Sequence, residues 1–393
     1  MRDIILQKGA ERRASLGHLW IFSNEIRGLD RTIPPGEDVV VRDFRGALVG
    51  SGTFNPASLI AVRLHARGAE VALMAELVRE RVARAWRRRL DRFGAEGARA
   101  SRVFYAEGDG IPGLVVDRFG EYLSVQCLTA AVERRLSWVV DALAEVHSPA
   151  GILLRNDTPS RELEGLPRYT RPALGDVPAR VSFQFDGLHL SAELLTGQKT
   201  GFFFDQRENY RLLRPFCAGG RVLDAFCYSG SWGLHAAAWG AGSVDFLDAS
   251  SHALELAQEN ARANGLAGGA AFLEADALEF LRERAARGPA YDLVVLDPPA
   301  FAKSRKQTPG ALRGYLNLNK WGIRSVLAGG ALVTCSCSHH VSREAFIETI
   351  ALAAREAGRE VRVVGEGHQS PDHPWIPAMP ETAYLKAFLL EVV

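Results

Sequence analysis

The hydrophobic pattern changes period along the chain. Over residues 1–70, short apolar stretches alternate with turn signals. Pro34-Pro35-Gly36-Glu37-Asp38 precedes the strand-like Val39-Val40-Val41-Arg42-Asp43, and Arg45-Gly46 leads into residues 47–54. Short strands at this spacing predict a small barrel. Residues 72–93 carry helical periodicity. Residues 101–180 mix strands and turns: Asp109-Gly110-Ile111-Pro112-Gly113 stands before a strand at 114–120, with a helix at 130–145 and a strand at 151–155. From residue 219 the pattern becomes a regular alternation. Strands are expected at Arg221–Phe226, Ser243–Asp248, Ala271–Glu274, Asp292–Asp297 and Ala331–Thr334, with helices near 231–240, 252–264, 277–287, 310–327 and 342–357. Two late strands, Val361–Val364 and Tyr384–Val392, follow. Apolar strands alternating with helices imply a parallel, doubly wound α/β sheet. The expected domains are 1–72, a small β-barrel; 73–185, a central α+β domain; and 186–393, the doubly wound sheet.

Composition fits this picture. The 393 residues are 47% hydrophobic and 24% charged, with a formal net charge of +1. That excludes a disordered chain, a collagen-like chain and a disulfide scaffold. No apolar run reaches the roughly 18 residues of a membrane span, and Met1–Arg13 lacks the apolar core of a secretory signal. Five sparse cysteines in such a chain point to a reducing compartment. A cytoplasmic protein with no membrane partner is expected.

Charge is distributed unevenly. Residues 1–100 hold 18 Lys+Arg against 12 Asp+Glu, a net of +6, so the remainder carries −5. Seven arginines lie between Arg79 and Arg92. They read equally as a polyanion-binding module or as a solvated basic helix. Gly17-His18-Leu19-Trp20-Ile21-Phe22 sets aromatics beside Lys8, Arg12 and Arg13. That mixture suits nucleic acid, though such residues more often divide between core and surface.

The chemistry gathers at the strand ends. The first strand of the alternating region ends in Asp224 and runs through Phe226, Tyr228 and Gly230 into a helix. This is a nucleotide-type crevice with few glycines, and it suits a ligand without a pyrophosphate. S-adenosylmethionine fits, because its sulfonium and amino group favour a nearby carboxylate. The second strand ends in Asp248, followed by Ser250, where an acid would meet ribose hydroxyls. The third ends Glu274-Ala275-Asp276-Ala277, near the expected adenine. Acids also cap helices at such places, but three at successive strand ends favour the cofactor. The fourth strand ends Asp297-Pro298-Pro299, a rigid extended turn placed to hold a flat ring beside a methyl donor.

The fifth strand runs into Thr334-Cys335-Ser336-Cys337-Ser338-His339-His340. Cys337 is nearer the open end; Cys335 reads as core filler. A C-x-C-x-H-H run lacks a spaced second ligand pair, so no metal is expected. A thiolate adding to carbon 6 of a pyrimidine makes carbon 5 nucleophilic enough to take a methyl group. Asp297 could interact with the ring nitrogens as charge shifts. Loss of the carbon 5 proton and of the cysteine then restores the ring.

Several segments resemble one family. Gly197-Gln198-Lys199-Thr200-Gly201-Phe202-Phe203-Phe204-Asp205-Gln206-Arg207-Glu208-Asn209 is similar to the signature ahead of the methyltransferase sheet in bacterial 23S ribosomal RNA cytosine-5 methyltransferases of the RlmI type. Asp224-x-Phe226-x-Tyr228-x-Gly230, Asp297-Pro298-Pro299, Ser336-Cys337-Ser338, Pro371-Asp372-His373-Pro374 and Tyr384-Leu385-Lys386 match the same family. The segment Gly17–Phe22 is similar to its PUA RNA-binding domain, and the stretch from Arg155-Asn156-Asp157 to Glu164-Gly165-Leu166 to its central domain. The resemblance implies a PUA-like barrel, a central α+β domain and a Rossmann-like methyltransferase domain. It also implies S-adenosylmethionine as cofactor and RNA, specifically large-subunit rRNA, as partner.

By this resemblance Cys337 is the nucleophile, with Asp297 beside it from the chemistry above; Cys335 departs from the usual pattern and creates a second T-C-S reading at 334–336, the form seen in other RNA cytosine-5 methyltransferases. Lys199, Thr200, Gly201, Phe202 and Phe203 would close over a cofactor held by Asp224, Phe226, Tyr228, Gly230, Asp248, Ser250, Asp276, Ala277 and Asp297. Two other functions were weighed: an exocyclic-amine RNA methyltransferase, which would not need Cys337, and a non-catalytic RNA-binding assembly factor. The oligomeric state is left open, a homodimer among the options.

Overall fold

The structure is a computed structural model that describes residues 1–197, 200–302 and 304–393. Two compact units divide the chain. The first comprises Met1–Gln184, Ala192–Phe204 and Pro371–Thr382; the second comprises Phe185–Ser191, Asp205–Ser370 and Ala383–Val393.

In the first unit, strands β1 (Arg2–Ile5), β2 (Trp20–Ile21), β3 (Glu37–Arg42), β4 (Leu48–Phe54) and β5 (Val62–Arg67) form a sheet in the order β1-β3-β4-β5-β2. Its apolar side chains, among them Ile4, Val39, Val41, Phe54, Val62 and Leu64, make a core of their own. A second sheet follows: β6 (Ala100–Tyr105), β7 (Leu114–Phe119), β8 (Tyr122–Cys127), β9 (Gly151–Asn156) and β10 (Tyr169–Leu174), in the order β10-β9-β8-β7-β6. Helices Ala75–Ala98 and Leu136–His147 join it around Val78, Val82, Phe104, Val116 and Leu143. Regular helix ends at Phe93, because Gly94 takes φ +70°, a conformation that favours glycine.

The arginine-rich helix follows neither reading in full. Arg81 and Arg89 are buried. Arg81 donates to the carbonyls of Gly110 and His65. Arg89 grips both oxygens of Asp109 at 2.8 and 2.6 Å and donates to the carbonyls of Arg102 and Asp372. Arg87, Arg88 and Arg92 are exposed. The aromatic segment turns inward too. His18 is buried and accepts from the Trp20 amide, while Trp20 Nε1 donates to Glu107 at 2.7 Å. Arg13 pairs with Glu25 at 2.9 Å and lies over the Phe22 ring. Arg63 and Asn55 reach Glu164, so the barrel and the second sheet are cross-linked by buried polar contacts.

The segment Pro371–Thr382 is held within this unit by the same device. Asp372 accepts from the Arg102 amide at 2.9 Å and contacts His373 Nδ1 at 2.9 Å. Arg102 in turn forms two bonds to Asp117, each 2.8 Å.

A two-stranded hairpin, β11 (Arg180–Phe185) and β12 (Leu188–Glu193), carries the chain from one unit to the other. In the second unit, strands β13 (Arg221–Ala225), β14 (Ser243–Asp248), β15 (Ala270–Glu274), β16 (Tyr291–Leu296), β17 (Val326–Ser336), β18 (Val361–His368) and β19 (Lys386–Val392) form one sheet in the order β15-β14-β13-β16-β17-β19-β18. Strands β13 to β17 are parallel, while β19 runs antiparallel to both β17 and β18. The α/β fold class is therefore as expected, with two antiparallel strands added at one edge. Helices Ser231–Ala238, Ser251–Ala263, Ala277–Ala286, Thr308–Ser325 and Arg343–Ala357 alternate with the strands. Gly233 lets the first of them approach the sheet, since a Cβ there would lie 2.4 Å from the Phe246 ring.

Among the described residues, no helix is long and apolar enough to cross a membrane, and no three metal-binding side chains cluster.

Arg89→Met should cost about 3–5 kcal/mol, because it strands Asp109 as a buried, poorly compensated charge. Urea unfolding checks this. Arg89→Met with Asp109→Leu should recover most of the loss; a single variant within about 0.5 kcal/mol of wild type would contradict the account.

Candidate active site

Strand order reverses between β13 and β16, and a crevice opens at the carboxyl ends of strands at such a point. Register keeps the strand ends level: Ala225 lies beside Leu296, and Leu296 beside Thr334. Asp224 is wholly buried there. One carboxylate oxygen accepts from the Gly233 amide at 2.8 Å; the other has no hydrogen-bond partner among the described residues. Burial pushes this carboxyl up to about 8, with the negative charges of Asp297 and Asp248 adding to the effect.

The turn after Asp224 is backbone-strained. Phe226 and Tyr228 take φ values of +64° and +47°, and Gly230 takes +82°. Left-handed non-glycine residues cost on the order of 1–3 kcal/mol each. Asp248 offsets part of that cost, accepting from the Tyr228 amide at 3.0 Å and from the Ser250 amide at 2.9 Å. Asn260 ties down the Ser229 carbonyl at 3.0 Å. Ser250 caps helix Ser251–Ala263. Asp276 caps helix Ala277–Ala286, accepts from the Glu279 amide and is exposed; Ala277 is buried behind it. Asp224, Phe226, Tyr228, Gly230, Asp248, Ser250, Asp276, Ala277 and Asp297 thus share one edge of the sheet. A buried carboxylate with a free oxygen, followed by an acid at the next strand end, fits a ligand bearing a cation and vicinal hydroxyls.

Residues 200–203 belong to the first unit. Thr200 Oγ1 donates to Asp117. Gly201 takes φ +123°. The buried Phe202 packs against Phe183 and Phe204, and Phe203 is half-buried. Lys199 lies outside the described residues.

Asp297, the first residue beyond β16, is half-buried. One of its oxygens accepts from Gln206 Nε2 and from Trp232 Nε1, both at 3.0 Å. Asn209 holds the other end of the Gln206 amide at 2.6 Å. The sequence by itself assigns no role to Gln206 or Trp232. The visible signal was the position of Gln206 inside the 197–209 signature.

The two thiols differ sharply. Cys335 is wholly buried in β17, and burial, then the charge of Asp297, drives its thiol well above the usual range. Cys337 is the first residue past the end of the strand. It is half-buried, with Sγ 3.9 Å from the Pro298 carbonyl oxygen. The turn after it is tied by hydroxyls: Ser336 Oγ donates to Tyr315 Oη at 3.0 Å, and Tyr315 Oη lies 3.0 Å from Ser338 Oγ. Lys386 Nζ donates to the carbonyls of Ser338 and Val341, each at 2.8 Å. His339 and His340 are exposed.

A doubly wound sheet with an acid-lined crevice at its switch point defines the general class of nucleotide-type ligand binders. Comparison with known proteins narrows it. Residues 4–67 match the family model of the PUA-like domain, and residues 179–391 that of S-adenosylmethionine-dependent methyltransferases. The chain is 36% identical over 392 residues to Ribosomal RNA large subunit methyltransferase I of Shewanella denitrificans, covering 99% of both proteins. It is 35% identical over 389 residues to the protein of the same name from Photobacterium profundum, covering 98% of both. A candidate S-adenosylmethionine-dependent methyltransferase from Streptococcus mutans shares the fold over 100% of both chains, with a TM-score of 0.85 at 18% identity. The chain belongs to this family of S-adenosylmethionine-dependent methyltransferases with an amino-terminal PUA-like domain.

The raised pKa of Asp224 has a definite consequence for stability. Folding lifts it from the usual 3.8 to about 8. Its contribution is therefore fully present below pH 4 and is lost as pH rises through 8. Asp224→Asn keeps the acceptor for Gly233 and removes the charge. Without cofactor it should melt at least ~2 °C above wild type at pH 9, the shift that about 1 kcal/mol produces in a domain of this size, and match wild type at pH 4. Equal melting at both pH values would contradict the burial assigned to this carboxyl.

Proposed function

We propose that the chain transfers a methyl group from S-adenosylmethionine to carbon 5 of a cytosine in large-subunit ribosomal RNA, through a covalent adduct on Cys337. The observation that carries this reading is the contrast between the two thiols. Cys337 stands half-open beside the Asp297-Pro298-Pro299 turn, and Cys335 is sealed in the strand. The names of the full-length relatives support the RNA substrate.

When bound, S-adenosylmethionine supplies an electrophilic methyl group. In this reading the free oxygen of Asp224 faces the cofactor's positive charge, Asp248 takes the ribose hydroxyls, and Asp276 lies near the adenine. Phe226, Tyr228, Gly230, Ser250 and Ala277 would shape the same edge. Cys337 adds to carbon 6 of a cytosine withdrawn from its stack. The Pro298-Pro299 turn fixes the ring plane, and Asp297, oriented by Gln206 and Trp232, meets the ring nitrogens as charge shifts. Departure of the Cys337 thiolate, after the carbon 5 proton is lost, regenerates the enzyme. The PUA-like domain contributes RNA affinity through exposed basic residues, with the salt dependence of phosphate contacts.

Cys337→Ala should abolish methylation, a loss of at least ~100-fold, and keep cofactor binding by calorimetry. Cys335→Ala should leave activity largely intact. RNA carrying 5-fluorocytidine at the target should trap a covalent adduct with wild type and none with Cys337→Ala, because fluorine cannot leave as the proton does. Loss of the adduct only in Cys335→Ala would assign the chemistry to the other thiol. A methyl group on an exocyclic nitrogen, with no adduct, would favour amine methylation.

A further inference from the structure

Strand β19 brings one more group to the thiol turn. Its antiparallel register with β17 sets Lys386 opposite Ser336, one residue before Cys337. The Lys386 side chain is half-buried and spans the turn that follows the thiol, its Nζ donating to the Ser338 and Val341 carbonyls. Carbonyls accept only, so Nζ is the donor in both bonds, and in its ammonium form it keeps a third N–H. We propose that Lys386 is a positioning residue for Cys337: it clamps the turn that presents the thiol and supplies the positive charge that keeps the thiol as thiolate.

The charges around the pair favour a single cation there. Cys335 beneath the turn is a sealed, neutral thiol, and Tyr315 on helix Thr308–Ser325 is a buried phenol whose proton burial retains. Asp297 and Asp205 bring negative charge felt at Cys335. His368 lies across from Lys386 on β18, Tyr384 lies two residues before it, ahead of the strand, and His339 and His340 are exposed in the turn. Beside these groups the Lys386 ammonium is a formal positive charge that two hydrogen bonds fix at the turn. Burial pulls Lys386 down to about 8, while a negative Cys337 acts in the opposite sense. Attraction between two groups is mutual, so the ammonium favours the thiolate by the same amount. A thiolate is the form that attacks carbon 6.

The proposal rests on Cys337 as nucleophile, yet its test needs no methylation. Full-length protein is alkylated with iodoacetamide across pH 5 to 10, and fragment mass spectrometry reads modification at Cys337 separately from Cys335. Wild type should titrate below the usual thiol value of about 8.5. Lys386→Met and Lys386→Gln should raise the midpoint by at least one unit, slowing alkylation at pH 7 about tenfold; Lys386→Arg should keep most of the wild-type rate. Methylation by Lys386→Met should recover as pH rises, which loss of a merely structural contact would not produce. Unchanged midpoints in folded Lys386→Met and Lys386→Gln would overturn the proposal, as would equal slowing by Lys386→Arg. Failure of the nucleophile reading would appear instead as an active Cys337→Ala variant and would leave these midpoints where they are.

Discussion

An acid buried near the carboxyl end of strand β13, with one oxygen unpaired among the described residues, is the constraint from which the crevice in the second unit is built. Asp224 is shut off from solvent where it sits, and among the described residues its hydrogen-bond partner is the Gly233 amide. An unsatisfied buried group of this kind costs on the order of 1–3 kcal/mol, and the positive-φ residues Phe226 and Tyr228 add to that cost. The surrounding structure holds the arrangement in place. The Asp248 carboxylate captures the Tyr228 amide, Asn260 captures the Ser229 carbonyl, and Gly230 allows helix Ser231–Ala238 to begin in the left-handed region. A cationic ligand would relieve what the fold leaves unpaired, which is the physical sense of the proposed S-adenosylmethionine site.

The same sheet edge presents the groups proposed to react. Parallel register puts the ends of β13, β16 and β17 level, so Asp224, Asp297 and the cysteine turn arise side by side without any long loop. Each is then oriented by a side chain distant in sequence: Gln206 and Trp232 for Asp297, Tyr315 and Lys386 for the turn after Cys337. Precision at the crevice comes from rigid strands plus a few directional hydrogen bonds. The antiparallel edge strand β19 matters because it carries Lys386 to that turn.

Much of this was legible in the primary structure. Strands β13 to β16 and the helices between them fall within a few residues of expectation, because buried apolar runs bounded by acids and glycines leave little choice of element. The same pattern exposed the strand-end acids and the cysteine pair. Strand β17 runs longer than expected, from Val326, because its first turns are glycine-rich and carry no strong periodicity. The antiparallel sense of β18 and β19 was not readable, since strand direction depends on tertiary pairing. Nor was the inward turn of Arg81, Arg89, His18 and Trp20. An arginine in a buried bidentate pair and one in solvent have the same local pattern, and only the distant Asp109 or Gly110 distinguishes them. The attachment of Pro371–Thr382 to the first unit has the same character: Asp372 finds Arg89 and Arg102 more than two hundred residues away in sequence.

The central claim is that this sheet edge methylates carbon 5 of a cytosine in large-subunit rRNA by way of Cys337. Mass-spectrometric mapping of ribosomal RNA from a strain lacking the protein tests it most directly. The account predicts loss of a single 5-methylcytosine from large-subunit rRNA, restored by wild-type protein and not by a folded Cys337→Ala variant. A methylation pattern unchanged by the deletion, or a lost methyl group that proves to lie on an exocyclic nitrogen, would contradict it.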